Sequence, residues 1–102
     1  MNTPSSIASV ISSCLTSQVA PQRAIGCCRV YVVISEKAAR PLVKAACQIS
    51  GAMYLKDAHG TSGNAIYVGY DNCRGDVLAR GAVLVKALQD VGVVCYRDEV
   101  GD

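Results

Sequence analysis

The alternation of apolar and polar positions is clearest between residues 64 and 98, where it predicts a strand, a polar loop, a helix and a second strand. Apolar residues recur along the helix with a period near 3.6 and share one arc of its surface. Asp76 is predicted as its N-cap and Gly92 as the left-handed residue that ends it. Gly81, in the middle of the apolar arc, indicates either a close approach to a sheet or a tolerated defect. The predicted elements are the strand 65–70, the loop 71–75, the helix 76–91 and the strand 93–97.

The same unit recurs earlier in the chain, which suggests an internal repeat. The segment Leu42-Val43-Lys44-Ala45 matches residues 84–87, and each copy is followed by a glycine, Gly51 or Gly92. Upstream strand signals, at residues 31–32 and 67–68, also correspond. Two such βαβ units side by side predict an α+β protein with the ferredoxin-like, split βαβ arrangement. This fold has a four-stranded sheet with two helices on one face. Chance similarity is the alternative, because the match is short.

The segment before the first strand predicts an additional amphipathic helix. Thr3 and Pro4 are good residues for its N-cap and first position. No residue from 1 to 22 carries a charged side chain, so this helix should rest against a surface, either its own domain or a second subunit. We therefore divide the chain into a helix and linker, 1–22, and one α+β domain, 23–102. The predicted oligomer interface is the helix's apolar stripe: Ile7, Val10, Ile11, Cys14 and Leu15.

The middle of the chain completes the first predicted unit. A β-branched run at 28–34 predicts a strand, and residues 52–56 predict a short one. Pro41 favours a late helix start near Arg40, since a proline deeper in the helix would kink it. A turn-rich loop, 57–64, then joins the two halves. Asp57 and His59 in this loop are a candidate acid–base pair, although a loop histidine is more often a solvated residue.

Composition narrows the class of protein. The 102 residues suffice for one domain with an aliphatic core, because the chain has no Phe and no Trp. A net charge of +2, with mixed signs along the chain, gives little general affinity for nucleic acid. No apolar run approaches the roughly 20 residues of a membrane span. The N-terminus lacks the basic region of a signal peptide, so a cytoplasmic location is predicted.

The cysteine pattern argues against a metal site. The six cysteines form no C-x-x-C pair, and the chain has a single histidine. In a cytoplasmic protein these cysteines are predicted to be reduced, with no metal and no cofactor bound. Cys73 lies beside Arg74 near a helix start, where a reactive thiolate is conceivable. His59 could act as its base, but no residue pattern places the two together, so no catalytic residue is assigned.

Two surfaces are candidate binding sites. The loop before the second helix offers Asp71, Asn72, Arg74 and Asp76 near a helix N-terminus, where an anion or a partner could bind. Ordinary capping and turn formation is the alternative for this loop. The second surface is the sheet face bearing Tyr31 and Tyr67 on the two central strands.

Tyrosines at central-strand positions are compatible with stacking on nucleic-acid bases. The alternative is burial of that face against the N-terminal helix or a second subunit. The leading hypothesis is a small non-enzymatic protein that acts through protein–protein contact, in an accessory, regulatory or inhibitory role, and self-associates. A nucleic-acid-binding module using the tyrosine face and an anion or nucleotide sensor using the 71–76 loop are the alternatives. No membrane association is predicted.

Overall fold

A computed structural model of the chain describes residues 2–24, 26–56 and 63–101. These residues form three α-helices and four strands, with β2 and β3 consecutive along the chain, and a 3₁₀ turn, Lys37–Ala39, leads into the second helix. The elements are α1 (Pro4–Leu15), β1 (Cys28–Ile34), α2 (Arg40–Ser50), β2 (Met53–Leu55), β3 (Ala65–Asp71), α3 (Asp76–Asp90) and β4 (Cys95–Gly101). The predicted 57–64 loop, with the Asp57–His59 pair, falls mostly outside the described residues.

The four strands form one antiparallel sheet, and the chain belongs to the α+β class. The strand order is β2-β3-β1-β4, and every neighbouring pair is antiparallel. Tyr31 of β1 faces Tyr67 of β3, whereas Val30 faces Gly69, so Val68 is an extra residue that makes a β-bulge. The bulge moves Gly69 to the other face of the sheet from Tyr67. Strict alternation along β3 would have put Tyr67 and Gly69 on the same face, so the bulge is what separates them.

All three helices contribute to one core against a single face of the sheet. That core is aliphatic, as the composition predicts, and alternate residues of the central strands point into it. Gly81 lies where α3 crosses the sheet, and a Cβ added there would be 2.9 Å from Cγ1 of Val30. Of the two interpretations of Gly81, the structure supports the close approach to the sheet. The buried core residues are Ile7, Ala8, Ile11, Cys14, Val32, Ile34, Val43, Ala46, Cys47, Ile66, Leu84, Leu88, Val93 and Cys95.

Helix α1 packs within its own chain. Thr3 is its N-cap: Thr3 Oγ1 accepts from the Ser6 N–H at 3.1 Å, and Ser6 Oγ accepts from the Thr3 N–H at 2.9 Å. The apolar stripe lies against α2 and α3, and Ile7 and Ile11 are fully buried. The predicted oligomer interface is corrected accordingly, because Ile7, Ile11 and Cys14 are buried in their own chain and Val10 and Leu15 pack partly buried against the same core.

Helix α2 begins at Arg40 after the 3₁₀ turn, with Pro41 in its first turn, so the predicted late start is confirmed. Gly51 ends α2 in a left-handed conformation. The other boundaries shift by a few residues: β2 is shorter than predicted, and β4 runs from Cys95 to Gly101 rather than from 93 to 97. Within the described part of the chain, no helix has the length and apolar character needed to cross a membrane.

Candidate functional site

Asp71 is a buried carboxylate that caps α3. The residue is 0 % exposed, although it was predicted as a surface ligand. Its Oδ1 accepts from the N–H groups of Arg74 and Gly75, both at 2.8 Å, and its Oδ2 accepts from the Leu78 N–H at 3.0 Å. Burial alone raises the pKa of Asp71, but backbone N–H donors at Gly75, Leu78, Arg74 and Val77 together outweigh burial and hold the pKa below its ordinary value.

This geometry corrects two predictions about the 71–76 loop. Asp76 is the first residue of α3 and not its N-cap, which is Gly75 in a left-handed conformation. The carboxylate of Asp71 already takes the N–H groups that an anion would use, so the helix start is closed to a small external anion. Among the other predicted residues, Asn72 and Arg74 are exposed, and Asp76 forms an i,i+4 ion pair with Arg80 at 3.9 Å.

Gly75 also ties this loop to the linker after α1. The Gln22 N–H donates to the Gly75 carbonyl oxygen at 3.0 Å. The two backbones are so close that a Cβ at position 75 would overlap the Gln22 carbonyl, and the residue has a φ of 83°. Glycine alone tolerates both the positive φ and the lack of space for a Cβ, so this close contact between the linker and the loop requires glycine at position 75.

A disulfide joins the same two segments, between Cys27 of the linker and Cys73 of the loop. The prediction that all six cysteines are reduced is therefore wrong for this pair. This pairing could not be predicted from the sequence, because the two cysteines are 46 residues apart and the linker and the loop meet only once the sheet has formed. A reactive Cys73 thiolate is likewise excluded in this state of the protein.

The remaining cysteines are buried thiols. Burial raises the pKa of Cys47 and that of Cys95 to about 11, and it raises the pKa of Cys14 as well. Such thiols stay protonated at neutral pH and pack as small apolar side chains. Within residues 2–24, 26–56 and 63–101, no cluster of His, Cys, Asp or Glu has the size to hold a metal ion.

The sheet face away from the helices, which we call the open face, gathers most of the aromatic side chains. Among the described residues, no helix covers it. Tyr31 and Tyr67 lie on it with ring centroids 5.4 Å apart and planes tilted by 52°. Tyr31 is only 3 % exposed, whereas Met53, Tyr70 and Tyr96 are 56, 42 and 41 % exposed. The open face comprises Arg29, Tyr31, Val33, Met53, Leu55, Ala65, Tyr67, Tyr70, Tyr96, Asp98 and Val100.

A second surface, which the sequence reasoning missed, lies where α2 begins. Among the described residues, an open groove of about 470 Å³, which we call the α2 groove, is lined by four cationic residues and no acidic one. The spacing of Lys37, Arg40 and Lys44, at i, i+3 and i+7, puts them on one side of the helical segment and was the available signal. The lining residues are Lys37, Arg40, Pro41, Lys44, Tyr54, Lys56 and Asn64.

The open face and the α2 groove, on opposite sides of the sheet, are therefore two candidate binding surfaces among the described residues. In the 71–76 loop, Asp71 serves the fold, and partner binding by the exposed Asn72 and Arg74 stays a prediction. Comparison of the chain with protein-family models, with curated proteins and with solved structures finds no match.

Proposed function

We propose that the chain is a small non-enzymatic binding protein that works through protein–protein contact, in an accessory, regulatory or inhibitory role. We further propose that it self-associates through the open face. The observation that carries this is the concentration of tyrosine on that face. Four of the five tyrosines of the chain, all except Tyr54, lie there together with Met53 and Arg29. Tyr, Met and Arg are the residue types enriched in protein interfaces, whereas Lys and Glu are depleted there.

The ferredoxin-like, split βαβ arrangement is part of the same proposal. It is supported by the strand order β2-β3-β1-β4 with antiparallel neighbours. It is also supported by the helices α2 and α3, which connect β1 to β2 and β3 to β4. In this arrangement both helices cover one face and leave the other available, which is the property that the proposed dimer uses.

The charges on the open face favour a second copy of the chain as the occupant. Arg29 and Asp98 are the charged residues of that face, and they form no ion pair with each other in one chain. The Arg29 Nε is buried with no hydrogen-bond acceptor among the described residues. In an isologous dimer every contact occurs twice, so Arg29 of each copy can meet the partner's Asp98.

The size of the face sets the strength of the contact. Strands about 4.8 Å apart and residues about 3.3 Å apart give four strands an area on the order of 400 Å². A stable interface buries about 800 Å² on each partner. The proposed dimer is therefore weak and reversible, and its population should rise with protein concentration.

The test is the mass of the protein in solution as a function of concentration, measured by sedimentation equilibrium from about 10 μM to 1 mM, a range that spans weak affinities. The wild type should shift from monomer towards dimer. Met53→Glu should remove the shift, because it places a charge in the apolar contact. Ile49→Glu is the matched control, because Ile49 is equally exposed, at 59 %, but lies on α2.

A charge exchange tests the pairing itself. Asp98→Arg should weaken the dimer, since like charges then face each other, and the double variant Arg29→Asp/Asp98→Arg should restore it. Melting temperatures of all variants are recorded so that loss of folding is not mistaken for loss of association. A wild type that stays monomeric throughout, or a dimer that Ile49→Glu disrupts as strongly as Met53→Glu, would refute the proposal.

Nucleic-acid binding by the tyrosine face is the weaker alternative. Among the described residues that form the open face, Arg29 is the only cation and its Nε is buried, so the tyrosine rings lie beside no cationic groove. Stacking platforms for single strands combine exposed rings with a cationic groove.

A cytoplasmic location stays a prediction, and the Cys27–Cys73 disulfide weighs against it because structural disulfides are rare in reducing compartments.

A further inference from the structure

We infer that the α2 groove is a binding site for a small organic phosphate, that is, a phosphate group carried on a compact organic body. The groove lies on the helix side of the sheet, so this inference is independent of the proposed dimer. Positive charge is concentrated in this groove. Four of the ten Lys and Arg residues of the chain line it, although the net charge of the chain is only +2. None of the seven lining residues that the structure describes is acidic.

The cations of the groove are uncompensated within the described part of the chain. No carboxylate there lies within ion-pair distance of Lys37, Lys44 or Lys56. Arg40 donates from Nε to the Ile34 carbonyl oxygen at 3.0 Å, which anchors the guanidinium. Its two terminal nitrogens have no acceptor among the described residues. Clustered cations repel each other, which costs free energy. Clefts lined by charges of one sign are nevertheless typical of sites that bind ions of the opposite sign.

The number and type of these donors favour phosphate over a single carboxylate. A phosphate monoester carries about −1.5 to −2 charges at neutral pH and offers three acceptor oxygens. A guanidinium presents a planar fork that matches two of those oxygens, and lysine ammonium groups supply further charge. The first turn of α2 has no acidic residue and no side-chain cap, so its positive end adds to the same field.

The volume and the apolar part of the lining point to an organic body on the phosphate. A groove of about 470 Å³ falls within the usual range for small-molecule sites, about 300 to 1,000 Å³, and is far larger than a bare ion needs. Pro41 and the half-buried Tyr54 supply a ring surface. The Tyr54 hydroxyl donates to Asn64 Oδ1 at 2.9 Å, which leaves the Asn64 amide N–H groups as donors for a ligand.

The test is titration of the full chain with ribose 5-phosphate, adenosine 5′-monophosphate, inorganic phosphate and adenosine at constant ionic strength, followed by two-dimensional NMR of the backbone amides. Concentrations up to about 10 mM reach millimolar affinities. At least one of the two esters should shift the amides of residues 37–44, 54 and 64. That ester should bind about tenfold tighter than inorganic phosphate, and adenosine should not bind.

Charge variants locate the site. Lys44→Glu should weaken the ester by about tenfold or more, because it removes one favourable charge and adds an opposing one. Lys86→Glu is the control with the same charge change on α3, outside the groove, and should change affinity by less than about twofold at that ionic strength. Both lysines are exposed, so both variants should fold.

Three results would overturn the inference. The first is an absence of amide shifts in the groove with both esters. The second is binding of inorganic phosphate as tight as that of the esters, which would leave an adventitious ion only. The third is a short single-stranded oligonucleotide that binds the groove more tightly than either ester, which would make it a polyanion surface. None of these results bears on the mass measurements that test the dimer.

Discussion

At the residue scale, the carboxylate of Asp71 makes the start of α3 sensitive to acid. Its pKa is lowered in the folded protein, so folding favours the ionised form. The stabilisation is fully present above the unfolded value, about 3.9, and is lost as the pH falls from there through the lower folded pKa. Protonation puts a hydrogen on one oxygen and deprives a buried backbone N–H of its acceptor.

Asp71→Asn tests this role, because the amide keeps the shape and one acceptor oxygen but cannot accept at the nitrogen position. We expect a loss of about 1–3 kcal/mol in the free energy of unfolding at neutral pH, measured by urea denaturation. Below about pH 4 the difference from the wild type should shrink, since the wild type then loses its own charge.

The control for that experiment is Asp76→Asn, which changes a neighbouring carboxylate whose ion pair with Arg80 is long and one-third exposed. Exposed pairs contribute about 0–1 kcal/mol, so this variant should remain close to the wild type. Equal losses from both variants would show that the local charge, rather than the buried cap, stabilises the turn.

Sequence reasoning at this scale was correct where the signal was local. The capping roles of Thr3 and Gly51 and the close approach at Gly81 follow from residue type and position in the helix pattern. It assigned the cap of α3 to Asp76 because that residue directly precedes the apolar arc. In the structure, the backbone N–H groups at the start of α3 donate to Asp71 instead, and this depends on the left-handed conformation of Gly75. The period of apolar residues in a helix gives no information about that conformation.

At the element scale, α1 is held by its partners rather than by its own sequence. A twelve-residue helix is near the length at which isolated helices are marginal in water, and α1 has no charged side chain to add surface pairs. Its order comes from burying the apolar stripe between α2 and α3. Removing residues 1–20 should therefore destabilise or aggregate the protein without giving a clean monomer.

A milder variant measures the same packing. Ile11→Ala should cost about 2–5 kcal/mol in the free energy of unfolding, because Ile11 is fully buried and its truncation leaves a cavity. Val10→Ala, on the partly buried flank of the helix, should cost less. Equal denaturation midpoints for Ile11→Ala and the wild type would mean that α1 does not pack as described.

The elements with strong periodicity could be predicted within a few residues, and those defined by pairing could not. β1 and α3 carry long apolar patterns, and the structure places them where the sequence did, apart from one residue at the end of α3. β4 extends to Gly101 because Cys28 and Arg29 of β1 pair with its last residues. The end of β4 is therefore set by the length of β1, its partner strand. The local sequence at the end of β4 is largely charged and does not itself predict a strand.

At the scale of the whole molecule, the Cys27–Cys73 disulfide fastens the linker after α1 to the loop before α3. In the chain-entropy account, closing a loop of 46 residues contributes roughly 4 kcal/mol by restricting the unfolded chain. The same two segments meet through Gln22 and Gly75. The bond therefore reinforces a junction that also has a backbone hydrogen bond.

Thiol counting checks this directly. After denaturation without reductant, four thiols per chain should react, and after reduction all six should. Cys27→Ser/Cys73→Ser should lower the free energy of unfolding by about 2–4 kcal/mol. As a control, reductant should destabilise the wild type by a similar amount and leave the double variant unchanged. Six reactive thiols in the unreduced protein would contradict the disulfide.

The position of α1 between α2 and α3 also has a consequence for synthesis of the chain. The ribosome completes α1 at Leu15, but α3 ends at Asp90, 75 residues later. At about 5–20 residues per second, the apolar stripe of α1 waits roughly 4–15 s for its second partner. During that interval the nascent chain displays an uncharged, apolar segment whose packing is incomplete, which is the kind of segment that chaperones bind.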